Sequence, residues 1–118
     1  MKISEDGQLL RIFIGESDRW DGKPLYEAII LKAREMGLAG ATMLRGLMGF
    51  GAASRIHTAK ILRLSEDLPI VVEIVDSADK IDALLPVIDE MVGEGLVTLE
   101  KVRVIQYRHR SKSGNRTT

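Results

Sequence analysis

The 118-residue sequence contains no cysteine. That excludes disulfides, thiolate metal sites and cysteine nucleophiles, and it fits a reducing compartment. Aromatic residues make up only 4%, and 17 acidic side chains balance 17 basic ones. Base stacking and a global field attracting nucleic acid therefore both lack support, and no nucleic-acid partner is expected. No apolar run approaches the roughly 20 residues of a spanning helix. Met1–Gly7 is too polar to open a signal peptide, so the expectation is a cytoplasmic protein without membrane insertion. The two histidines, His57 and His109, are too few to build a metal site within one chain. No nucleophile–base pair or paired-carboxylate site can be placed on one surface, so no metal and no enzymatic activity are expected.

What is present is a hydrophobic content of 45% with 29% charge, the balance of a folded domain. The length predicts a single domain over residues 1–118, with a core at about 9–107 and a flexible basic tail at 108–118. Leu9–Gly15 is short and β-rich and predicts a first strand. Gly15–Lys23 is polar and predicts a loop. Pro24 suits a helix start, Leu25, Ala28, Ile29, Lys32, Ala33 and Met36 follow at helical spacing, and Gly37 supplies a stop. Ala41–Met48 predicts a second strand, and Phe50–Ser54 a turn. Arg55–Leu64 predicts an extended arm, and Ser65–Leu68 a loop.

Pro69 opens a strand at Ile70–Val75, apolar enough to be covered on both faces. Asp76 or Ser77 can cap a second helix with the stripe Ile81, Leu84, Leu85, Ile88, Met91 and Val92. Pro86 should kink or split that helix, and Gly93 and Gly95 end it. Leu96–Tyr107 alternates as a last strand. The order β-α-β-arm-β-α-β predicts an α+β, ferredoxin-like βαββαβ sandwich, an antiparallel sheet with two helices on one face. The opposite face is then left apolar and open, which a small domain resolves by forming a homo-oligomer.

Residues 37–51 hold five of the eleven glycines. Such density requires positive φ, a bulge, or something lying close to bare backbone. The series Gly15-Glu16, Pro24-Leu25-Tyr26-Glu27-Ala28-Ile29, Gly37-Leu38-Ala39-Gly40-Ala41-Thr42, Arg45-Gly46, Gly49-Phe50-Gly51, Ile56-His57-Thr58 and Leu68-Pro69 resembles the PII-like family known as domain of unknown function 190. More distantly it is similar to the nitrogen-regulatory PII proteins.

The resemblance implies a homotrimer that senses a small ligand, an adenine nucleotide (ATP, ADP or AMP), in the cleft between subunits. It implies Thr42, Gly49, Phe50, Gly51, Arg55 and Lys101 as ligand-binding positions. It also implies a partner-binding arm at 51–67 that includes Ala52, Arg55, Ile56, His57, Lys60 and Arg63. A membrane transporter or channel is the implied kind of protein partner. The chain departs from the PII pattern in two places. Thr98-Leu99-Glu100 precedes Lys101 where PII proteins are glycine-rich, and Ala52 follows Gly51 where they carry arginine. Two alternatives stay open, a ligand-free structural or interaction trimer and a metal-binding trimer resembling the CutA proteins.

Overall fold

The computed structural model describes residues 6–50 and 68–108. Its elements run β1 (Asp6–Gly15), β2 (Arg19–Trp20), β3 (Lys23–Pro24), α1 (Leu25–Glu35), β4 (Thr42–Arg45), β5 (Pro69–Asp76), α2 (Ala78–Met91) and β6 (Leu96–Arg103). The main sheet has the order β4-β5-β1-β6, and each neighbouring pair is antiparallel. Setting the small β2–β3 hairpin aside, this is the ferredoxin-like order, and the fold expectation stands. The arm (Gly51, Ala52, Arg55, Ile56, His57, Lys60 and Arg63 among its residues) and the tail from His109 onward lie outside the described residues.

The core is built on one side of the sheet. Leu10, Ile12 and Ile14 of β1 and Ile70, Val72 and Ile74 of β5 are buried, the period of two expected where one face is covered. Against them pack Leu25, Ala28, Ile29 and Ala33 of α1 and Ile81, Leu84, Ile88 and Met91 of α2. β5 is an interior strand, but only this face of it is covered: Val71 and Glu73 are half-buried and Val75 is exposed. The expectation of cover on both faces fails within one protomer.

Local chemistry sets the boundaries. Gly37 has φ +82°. Its N–H donates to the Arg34 carbonyl at 3.1 Å, and the Leu38 N–H donates to the Ala33 carbonyl at 3.0 Å. These two bonds make a Schellman ending, with Leu38 returned to the core beside Ala33. A Gly37→Ala protein should lose about 1 kcal/mol, because a Cβ is disfavoured at this φ. A urea titration would detect the loss, and an unchanged midpoint would refute it.

The structure differs from the sequence expectations in five places. β1 begins at Asp6 rather than Leu9, because Asp6, Gly7 and Gln8 find partners in Arg103, Val102 and Lys101 of β6. The expected loop at 15–23 contains a hairpin, with Asp21 (φ +50°) and Gly22 (φ +83°) as its two-residue turn. β4 stops at Arg45 and β6 at Arg103. α2 runs unbroken through Pro86. Pro86 and Asp82, whose carbonyl it leaves without an amide partner, are both exposed, so water can take the bond.

Candidate functional site

Three motifs distant in sequence meet at one end of the sheet. Gly15-Glu16 leaves β1, Arg45-Gly46 leaves β4, and Leu68-Pro69 enters β5. The Glu16 N–H donates to the Leu68 carbonyl at 2.8 Å, and the Gly46 N–H donates to the Pro69 carbonyl at 2.7 Å. Arg45 Nη2 lies 2.8 Å from Glu16 Oε2. The two chain segments that flank residues 51–67 are thereby tied to each other and to the end of β1.

The glycines here have a packing reason. A Cβ on Gly46 would lie 2.8 Å from Pro69 Cγ, and one on Gly49 3.1 Å from the same atom. What approaches the bare backbone at these two positions is the Pro69 ring. The residues between and after them face outward: Leu47 is 94% exposed, Met48 70% and Phe50 66%. An apolar rim therefore stands in solvent at this end. The Gly93-Glu94-Gly95 turn between α2 and β6 reaches the same end, since Leu96 pairs with Phe13 near the finish of β1.

Thr42 pairs with Glu73 and is exposed on the sheet face opposite the helices. Arg45 lies on the helix side of the same strand. β4 is an edge strand, so both residues border one rim. Just before Thr42, a cavity of about 300 Å³ opens between α1 and the following chain, lined by Ile30, Ala33, Arg34 and residues 38–41. Its wall is held by Asp76, which is 2% exposed. Asp76 Oδ2 accepts from the Ala39 N–H at 2.8 Å, and Oδ1 accepts from the Ser77 N–H at 2.6 Å. Ser77, not Asp76, caps α2, accepting from the Lys80 N–H. Tyr107 Oη donates to the Ala39 carbonyl at 3.4 Å.

Lys101 does not join this group within one chain. It is exposed on β6 opposite Gln8, whereas Arg45 aligns through Ile70 with Ile14. Six residues of strand and three strand spacings separate them, roughly 20 Å along and 14 Å across the sheet. They can share a ligand only across two protomers. Thr98-Leu99-Glu100 is mid-strand rather than loop, and Glu100 is engaged with Arg11.

Arg11 stands at the centre of the open face. Its Nε is 2.9 Å from Glu73 Oε2 and its Nη1 is 3.1 Å from Glu100 Oε1. The hydrogen bond to Glu73 is the largest cause raising its pKa above the ordinary value, against a smaller opposing effect of burial. Its charge is thus fixed across the accessible pH range. Register places Thr42, Glu73, Arg11 and Thr98 in one row across the sheet, and Leu44, Val71, Phe13 and Leu96 in the next. Among the described residues, no group of three or more His, Asp or Glu could hold a metal ion.

The family model described as Uncharacterized ACR (DUF190) matches residues 7–104. The chain belongs to this family. A UPF0166 protein of Aquifex aeolicus (strain VF5) is 43% identical over 100 residues, covering 83% of this chain and 92% of the relative. A UPF0166 protein of Methanocaldococcus jannaschii is 31% identical over 98 residues, covering 82% and 90%. The fold is similar to that of a protein of Thermus thermophilus described as PII-like and signaling, with a TM-score of 0.58, 16% identity and 88% and 93% coverage. It is also similar to CPII of Thiomonas intermedia, solved with ADP and bicarbonate, with a TM-score of 0.52, 14% identity and 84% and 88% coverage. No described helix of the DUF190 chain is long and apolar enough to cross a membrane.

Proposed function

We propose that this DUF190 protein is a PII-like regulator: a homotrimer that senses an adenine nucleotide in the intersubunit cleft and engages a protein partner through residues 51–67. The observation that carries the reading is the tying of both roots of that segment to one end of the sheet, beside exposed Phe50 and on the strand that also carries Thr42. A ligand bound at such a rim touches both ends of the segment at once. Ligand affinity and partner affinity then become linked reciprocally. The likeness to CPII, solved with ADP and bicarbonate, supports the choice of ligand. The open face row Leu44–Val71–Phe13–Leu96 supports assembly, since a face of this kind is ordinarily covered. Lys101 and Arg55 are proposed ligand contacts, Lys101 from a neighbouring protomer. The partner class implied by the resemblance is a membrane transporter or channel.

Calorimetric titration with ATP, ADP and AMP, each with and without magnesium, tests the ligand. At least one nucleotide should bind, and Thr42→Ala or Phe50→Ala should weaken it tenfold or more, about 1.4 kcal/mol. Absence of both heat and thermal shift for all three nucleotides would end the nucleotide reading. Unchanged binding in both variants would move the site elsewhere.

A further inference from the structure

We propose that Arg45 is an anion contact of the rim site and that Glu16 sets its affinity by holding the guanidinium in reserve. The proposal rests on the anion-sensing reading above and names a pair of residues that decide how strongly the site binds.

The geometry of the pair is lopsided. Arg45 Nη2 meets Glu16 Oε2 at 2.8 Å, yet Glu16 Oε1 is buried with no hydrogen-bond partner among the described residues. The arginine side chain is 54% exposed and the glutamate only 21%. A guanidinium carries five N–H donors in a planar fork, and this one gives the carboxylate a single contact. Arg11, by contrast, divides its donors between Glu73 and Glu100. Among the described residues Arg45 is thus a cation with donors left over, on an edge strand, next to the segment that begins at Gly46. A phosphate or carboxylate arriving at that edge finds a planar fork suited to two-pronged recognition.

Glu16 opposes the same event. Its charge lies within contact distance of the guanidinium and so within a few ångströms of any anion bound there, where like charges repel. It is anchored by its backbone N–H to the Leu68 carbonyl, which keeps the opposition in place. An anion that binds must take Arg45 partly away from Glu16, and this loosens the tie between β1 and β4.

Calorimetry with ADP and, separately, with inorganic phosphate tests the pair in wild type, Glu16→Gln, Arg45→Gln, Arg45→Lys and the Glu16→Gln/Arg45→Gln double variant, with thermal melts as folding controls. Arg45→Gln should weaken both ligands tenfold or more. Arg45→Lys should fall between, since an ammonium keeps the charge without the fork. Glu16→Gln should tighten both ligands threefold to tenfold, and the double variant should bind within twofold of Arg45→Gln. If wild type binds ADP and Arg45→Gln binds it equally, the proposal fails while the nucleotide reading survives. If Glu16→Gln binds ADP no more tightly than wild type, Glu16 has no restraining role and the proposal fails. If neither ligand binds to wild type or to Glu16→Gln, the reading and the proposal fall together.

Discussion

An Asp76→Asn protein should lose about 2–4 kcal/mol of stability, the cost of disrupting a buried hydrogen-bond pair. Asp76 is the buried charged side chain among the described residues, and each of its oxygens takes one backbone N–H. Asparagine keeps the shape but replaces one oxygen by an NH2 group. Whichever way the amide turns, one of the Ala39 and Ser77 N–H groups then faces a donor. No solvent reaches the site to compensate, and an unsatisfied buried donor is expensive. The two amides belong to different parts of the fold, one to the chain between α1 and β4, the other to the start of α2. The damage therefore spreads beyond a single cap. For a chain of this size the loss corresponds to a fall in Tm of roughly 10 °C. Ser77→Ala, which removes only the long 3.5 Å bond to the Lys80 N–H, should cost less than half as much. Thermal and urea denaturation of both variants decide the matter, and an Asp76→Asn melt within about 2 °C of wild type would contradict it.

The core elements were legible because their burial follows simple periods. The helical spacings of α1 and α2 named Leu25, Ala28, Ile29, Ala33, Ile81, Leu84, Ile88 and Met91 directly, and all of them are buried. What the sequence concealed has specific causes. Asp6, Gly7 and Gln8 carry no β pattern, and their strand state comes from pairing with residues more than ninety positions away. The hairpin at Arg19–Pro24 had a readable signal in Asp21-Gly22, but its two-residue strands are too short to show alternation. Pro86 announced a break that an exposed position in the helix makes unnecessary. Asp76 looked like a cap, since nothing local shows that a carboxylate on β5 will meet the backbone of Ala39.

The site divides in the same way. Gly15-Glu16, Arg45-Gly46 and Leu68-Pro69 were visible as separate motifs, but their meeting depends on strand order. The Arg45–Glu16 ion pair, which spans two non-adjacent strands, had no local signature. Lys101 shows the converse limit of reading by residue type. Its residue type suits a phosphate, while its register places it at the far end of the sheet from Gly49 and Phe50.

Strand register also supplies the sharpest test of assembly. Phe13→Glu should give a folded monomer, whereas wild type should run at three times the 13.1 kDa chain mass if the trimeric reading holds. Phe13 is half-buried in the protomer and lies between Val71 and Leu96, with exposed Leu44 beyond Val71. A glutamate there stays hydrated in a lone protomer, so the fold should survive. In an assembled face it would be desolvated beside apolar neighbours, at a cost of several kcal/mol per copy. Arg11, two residues away on the same face of β1, is already shared by Glu73 and Glu100 and has little capacity for a third carboxylate.

β6 makes the dependence on assembly stronger. Leu96 on one face and Val97 and Leu99 on the other are exposed, and among the described residues its outer edge has no strand partner. Such an edge is ordinarily blunted or covered. Leu31→Glu is the control, because Leu31 is exposed on α1, away from the open face, and its replacement should leave the mass unchanged. Light scattering coupled to gel filtration, with circular dichroism to confirm folding, separates the outcomes. A Phe13→Glu protein that keeps the wild-type oligomeric mass would show that the assembly does not use this face. A wild-type monomer would remove the intersubunit cleft altogether, and with it any route by which Lys101 could meet the Thr42 and Phe50 rim.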